Sequence, residues 1–259
     1  MSASAATMPN RPPGRALKKL TVLELRMAWR EPVGLILGVA VPVMLLVIFG
    51  LSSTFQKRIV AGNPITWRTE LAPVLIGLVL VLIALISLPI PIVTQRENRF
   101  LRRLSTTPVS PSWLLAAQVA VNLLLALLAI VVIVVGDSAF FGVHAPRNVA
   151  GFILSVLLAT TSLFALGLVI AALARSARAA GAIGSLLLYP LLFFAGLWQP
   201  REKMTPLMLH ISNLTPLGAA VHAMLNSMQG SSPTLGSLAV MAAWTAIAGF
   251  AAVKLFRWE

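Results

Sequence analysis

Six stretches of this chain hold no Asp, Glu, Lys, Arg or His: residues 32–56, 71–95, 104–136, 148–174, 179–200 and 223–253. Each reaches the roughly 20 residues a helix needs to cross about 30 Å of hydrocarbon. Backbone groups in lipid must be paired internally, and the runs lack the period-2 alternation of a barrel, so they predict helices. The expected spans are approximately 33–53, 72–94, 113–135, 149–174, 180–197 and 235–253. Proline marks irregularities within them. Pro42 is expected to kink the first span, Pro89 and Pro91 to interrupt hydrogen bonding at the end of the second, and Pro190 lies near the middle of the fifth.

The polar segments between the runs differ in kind. Residues 1–14, rich in Ser, Ala and Pro, read as a disordered tail. In 15–31, Ala16, Leu20, Leu23 and Met27 form one apolar stripe at 100° per residue, flanked by Lys19, Arg26 and Arg30 on one side and Glu24 and Glu31 on the other. That pattern predicts an amphipathic helix lying in the headgroup region. A cytoplasmic extension of the first span is the alternative. Residues 198–234 carry Pro200, Pro206 and Pro216 and an amphipathic stretch from Leu207 to Met228. They predict short helices dipping into the outer leaflet rather than a plain loop. The expected fold class is therefore all-α integral membrane: six spans in 32–259, an N-terminal interfacial helix, and an outer re-entrant helical segment between spans five and six.

Composition agrees with the pattern. The chain of 259 residues is 58% hydrophobic and 10% charged, with a mean hydropathy of +0.92, too apolar for a soluble domain of this length. The net charge of +13 raises nucleic acid as a partner, but its distribution argues against one. With six spans and a cytoplasmic N-terminus, 14 of the 20 Lys and Arg residues fall on inner segments. The outer segments hold Lys57, Arg58, Arg68, Arg147, Arg201 and Lys203. This is the positive-inside bias, and it places both termini in the cytoplasm. The absence of cysteine excludes disulfides and thiolate chemistry. It also agrees, with the excess of Arg over Lys, with a GC-rich bacterial source and hence a bacterial cytoplasmic membrane.

The chemistry of an enzyme is missing. His144, His210 and His222 have no metal-ligand spacing and fall in outer segments, where they read as surface or interfacial histidines. No HExxH, GxSxG or paired carboxylates occur. No GxxxxGK[ST] is present, so any ATP that drives this protein binds another chain. A charge at the centre of a span costs roughly 2.5–3.5 kcal/mol and marks ion paths. None is expected here, and Asp137 reads as an interfacial helix end at the outer boundary. An ion-coupled transporter would lack its carboxylate. Mid-membrane polarity is mild: Gln118 and Asn122 share a helix face, and Thr160, Thr161 and Ser162 lie near the middle of span four. These five either bond to neighbouring helices or line a translocation path.

The segment between spans two and three is the densest polar feature of the chain. Leu101 and Leu104 share a helical face, Arg99, Arg102 and Arg103 are available to acidic groups, and Thr107-Pro108 stops the helix. A short helix with an apolar ridge and Arg edges suits a groove on a soluble domain. The alternative is a lipid-facing positive-inside loop, which explains the arginines but not the Leu spacing or the Thr-Pro stop.

Several segments together resemble the ABC-2 type permeases, the membrane subunits of ATP-binding-cassette exporters. They are Arg96-Glu97 with Leu101-Arg102-Arg103-Leu104 and Thr107-Pro108-Val109-Ser110, then the turn Ala174–Ala180. Phe194–Pro200, Thr205-Pro206 and Asn213–Leu217 complete the set. Size and short loops look most like the drug-resistance branch of daunorubicin-type exporters. The usual second acidic residue and Gly-Thr pair near Asn98-Arg99 are absent. The resemblance implies that Glu97, Arg99, Leu101, Arg102, Arg103, Leu104, Thr107, Pro108, Arg175 and Arg178 couple the permease to a separate ATPase. It also implies that Pro200, Pro206 and Pro216 shape the outer re-entrant segment. It further implies two copies of an ABC ATPase that carry the Mg-ATP, a second permease copy, no cofactor in this chain, and a hydrophobic drug-like or lipid-like substrate leaving the cell. A permease for a lipid-linked glycan, or a non-transporting membrane scaffold, is the alternative reading.

Overall fold

The computed structural model describes residues 40–51, 67–98, 111–141 and 145–255. The expected tail 1–14, the interfacial helix 15–31 and most of the segment 99–110 lie outside the described residues. Among the described residues every regular element is helical. They are α1 (Val41–Leu51), α2 (Trp67–Leu82), a π-helical turn (Ile83–Ser87), α3 (Pro89–Glu97), α4 (Pro111–Phe141), α5 (Val149–Leu173), α6 (Ala177–Ala195), a 3-10 turn (Arg201–Lys203), α7 (Pro206–Leu214), α8 (Pro216–Met228) and α9 (Leu235–Leu255). Among the described residues, five stretches are long and apolar enough to cross a membrane: Glu70–Glu97, Leu115–Phe140, Val149–Leu173, Ala177–Ala195 and Leu235–Leu255. The first expected span is represented by the 11 residues of α1.

The rod formed by α2, the π turn and α3 is the centre of the bundle. Leu75, Ile76, Val79, Leu80, Val81, Ala84, Leu85 and Leu88 have no exposed surface. One side of the rod is covered by α1 and α4, the other by α5 and α6, and α9 packs along α5. The outer faces are apolar too. On α4, Leu124, Leu127, Leu128, Val131 and Val135 are exposed, a stripe at helical spacing that suits lipid and not water.

Pro89 and Pro91 do not break the rod. The helix widens one turn earlier, where Leu88 N donates to Ile83 O at 2.9 Å, five residues back. Pro89 has no N–H for Leu85 O in α register or Ala84 O in π register, and widening accommodates its ring. Those two carbonyls meet glycines. A Cβ on Gly167 of α5 would stand 2.0 Å from Ala84 O, and one on Gly184 of α6 would stand 2.2 Å from Leu85 O. Both helices therefore approach the rod backbone to backbone, at the distance where Cα–H groups contact carbonyl oxygens.

Helix ends follow local chemistry. Asn148 Oδ1 accepts from Gly151 N at 2.9 Å and starts α5; Ser176 Oγ accepts from Ala179 N at 3.1 Å and starts α6. Gly196, at φ 101°, ends α6 in the left-handed region. Thr205-Pro206 and Thr215-Pro216 repeat one device. The threonine hydroxyl accepts from Met208 N at 3.3 Å or Gly218 N at 3.2 Å, and proline takes the first helical position, where no N–H is needed.

One expectation needs correction. Asp137 does not end its helix: α4 runs on to Phe141, and Asp137 is 1% exposed. α8, in the segment expected to hold short helices, belongs to the core. Leu217, Ala219, Ala220, Ala223 and Met224 are fully buried, because α8 is wedged among α2, α5, α6 and α9.

Candidate functional site

The end of α3 and the corner between α5 and α6 meet on one side of the bundle. Thr94 ties its hydroxyl to Ile90 O at 2.8 Å, leaving the next turn to point its charges outward. The Arg96 guanidinium donates to Ala171 O at 3.3 Å and to Ala174 O. Glu97 Oε2 accepts from Ala177 N at 3.0 Å. The last carbonyls of α5 and the first N–H of α6 have no partner within their own helices. Adjacent residues of opposite charge thus serve the negative end of one helix and the positive end of the next, the favourable sense for both. Arg175 and Arg178 are exposed beside them. Of the residues expected to couple to an ATPase, the structure brings Glu97, Arg175 and Arg178 together. Arg99, Leu101, Arg102, Arg103, Leu104, Thr107 and Pro108 lie outside the described residues.

The path candidates divide. Thr160 Oγ1 donates to Val156 O at 2.7 Å and Ser162 Oγ to Ala159 O at 3.0 Å, so both are satisfied by their own helix. Thr161 is exposed, bonded to Leu157 O and Leu158 O, and 3.5 Å from Thr245 Oγ1 of α9. Gln118 and Asn122 are buried on α4. Asn122 Nδ2 donates to Gln118 O at 2.9 Å, while both side-chain polar atoms of Gln118 and Oδ1 of Asn122 have no hydrogen-bond partner among the described residues. These two retain unspent polarity inside the bundle; the hydroxyls do not.

The opposite side holds a polar cluster that the sequence did not single out. Arg201, 8% exposed, donates to Ser212 Oγ at 2.6 Å, Asn213 Oδ1 at 2.6 Å and Gly218 O at 3.4 Å. Ser212 Oγ in turn donates to Phe194 O at 2.6 Å. One guanidinium therefore fastens the 3-10 turn, the end of α7, the start of α8 and the end of α6. Burial pulls its pKa down, while Glu70 and Glu202 oppose that. Glu70, at the head of α2, is also buried. It was hidden from the sequence reading because the apolar run was counted from residue 71. Pro200 and Pro216 are buried and Pro206 is exposed at the rim of this cluster. His210 is exposed, whereas His222 is half-buried, with Nδ1 3.2 Å from Ser237 Oγ and Nε2 3.5 Å from Asn226 Nδ2. Burial and then the charge of Arg201 lower its pKa. The same side carries the α4–α5 link, where Asn148 N donates to Ser227 O at 3.0 Å. His144 lies outside the described residues. Among the described residues, no group of three or more His, Cys, Asp or Glu could hold a metal ion.

A family model described as ABC-2 type transporter matches residues 15–228. No curated protein matches the sequence.

Proposed function

The chain belongs to the ABC-2 type transporter family, and from that premise we propose that it is the permease subunit that exports a hydrophobic drug-like or lipid-like molecule. The family makes it a membrane component of an exporter rather than an enzyme, and implies an ABC ATPase as partner. Its long apolar helices make it a multi-pass membrane protein. Beyond that lies the reading itself. The side bearing Glu97, Arg175 and Arg178 faces the cytoplasm of a bacterial cell, as do both termini. Two ATPase copies, loaded with Mg-ATP, dock on the 99–108 segment of two permease copies. The chain itself needs no cofactor. Closure of the ATPases pushes on this side, and the bundle opens a route between protomers or from the inner leaflet. The apolar faces and the small size favour the drug-resistance branch.

The observation that carries this reading is the junction of α3 with the α5–α6 corner. It holds the end of α3, which the arginine-rich segment follows in the sequence, against exposed Arg175 and Arg178, and charge of that sign suits an acidic soluble partner. A tagged chain isolated from its native membranes in mild detergent is expected to bring down a soluble subunit with a P-loop. Reversing charge with Arg102→Glu and Arg103→Glu should reduce that recovery about tenfold or more, as expected when two charged contacts are lost. If wild type and the double variant recover the same amount, docking is elsewhere; if wild type recovers none, the exporter reading fails.

A further inference from the structure

Gln118 and Asn122 lie one turn apart on the buried face of α4, 3% and 7% exposed. α4 packs on α1, α2 and the π turn, while Leu124, Leu127, Leu128 and Val131 are exposed on its other face. The pair sits in the half of α4 nearer Pro111, roughly 10 and 16 Å along the axis from that end at about 1.5 Å per residue. Other polar side chains buried in the bundle are answered by their own helices. Ser155, Thr160 and Ser162 of α5 and Ser227 of α8 each donate to a carbonyl three or four residues back. Asn122 spends only Nδ2 in this way. Gln118 Nε2, Gln118 Oε1 and Asn122 Oδ1 have no partner among the described residues. No water competes for such groups in hydrocarbon, so an unanswered amide opposes folding. Leucine, of similar size, would remove that penalty. A position that breaks a folding rule in this way is where a function is to be sought.

We infer that Gln118 and Asn122 form a binding site for the neutral, hydroxyl- or amide-bearing head of an amphiphile, entered where α4 parts from the rod. The three atoms supply one donor group and two acceptors. A group that both donates and accepts satisfies them together. A phosphate or carboxylate would meet a single donor group, and a quaternary ammonium would make no hydrogen bond. The apolar tail of such a molecule stays with the lipid that the exposed leucines of α4 face. This deepens the exporter reading by naming the head group of the substrate, and it rests on that reading for the transport step; binding itself needs no ATPase.

Two photoprobes test it in the full chain in its native membranes: a long-chain alcohol with a diazirine beside its hydroxyl, and the methyl ether of that alcohol, which keeps an acceptor but has no donor. Labelled residues are read by mass spectrometry. Around Gln118 the alcohol is expected to exceed the ether about two- to tenfold, the range of one neutral hydrogen bond. The exposed residues Leu124, Leu127, Leu128 and Val131 should take both probes equally, an internal standard for partition into lipid. In the double variant Gln118→Leu, Asn122→Leu the ratio at the site should fall to about one. Without probe, that variant should melt at or above the temperature of the parent, because two unanswered amides are gone. Equal labelling by the two probes in the parent overturns the site, and so does a ratio that persists in the double variant. A clear fall in the melting temperature of the variant also overturns it, since the amides would then be bonded within the bundle. Each of these results leaves the exporter reading standing. A preference for the alcohol in a chain that brings down no ATPase keeps the binding site and ends the exporter reading.

Discussion

Alanine at Gly167 or Gly184 is expected to destabilise the bundle and stop export, a large effect for a single methyl group. A Cβ at Gly167 would stand 2.0 Å from Ala84 O and 3.0 Å from Ala84 C; at Gly184 it would stand 2.2 Å from Leu85 O and 2.9 Å from Ile86 Cδ1. The nearest obstacles, Ala84 O and Leu85 O, are backbone atoms of the most buried element. They cannot rotate away, so α5 or α6 must lift off the rod. Overpacking of this kind costs about 1–3 kcal/mol, and more where backbone must move. Gly236 and Gly249 on α9 are the controls, because a Cβ there meets nothing within 4 Å. Alanine at those positions should be neutral, or stabilising by roughly 0.5–1 kcal/mol. Thermal unfolding of the four purified variants in detergent checks this. Equal midpoints for Gly167→Ala and Gly249→Ala would refute the close approach.

Arg201→Met is the second large loss. Methionine fills most of the volume but donates no hydrogen bond. Ser212, Asn213 and the Gly218 carbonyl lose a shared donor, and buried Glu70 loses its nearby cation. Leaving a buried polar group without its donor costs about 1–3 kcal/mol. Arg201→Lys should recover only part of this, since one ammonium cannot reach three acceptors with the geometry of a planar fork. The effect should be local. α7 joins the cluster through Ser212 and Asn213, so limited proteolysis is expected to open the 204–214 segment in Arg201→Met before the rest of the bundle yields. A variant as protease-resistant and heat-stable as the parent would show that Arg201 fastens nothing.

These two results fall on residues that the sequence does not mark as special. Gly167 and Gly184 are ordinary in composition, since glycine is common in membrane helices. What selects them is the close approach of two backbone carbonyls of the rod, Ala84 O and Leu85 O. Arg201 read as an outer-loop cation and Glu70 as a residue just before an apolar run. Only folding brings them together beneath α7 and α8. The burial of Asp137 was hidden for the same reason: hydropathy along the chain does not say which neighbours a helix face meets.

By itself the sequence determined the class of molecule. Charge-free runs long enough to cross hydrocarbon leave the backbone no option but to satisfy itself in helices. The spaced motifs from Arg96 to Leu217 pointed to the ABC-2 family that the match over residues 15–228 establishes. Those are properties of local segments and of their order. The tertiary structure alone decided which segments touch. It alone set Glu97 on the N-terminus of α6, turned α8 into core, and buried one guanidinium among four elements. Each of these is a contact between residues far apart in the chain. Such contacts are fixed by close packing and by the need to pair every buried polar group, and neither constraint is written in a one-dimensional pattern of apolar and polar positions.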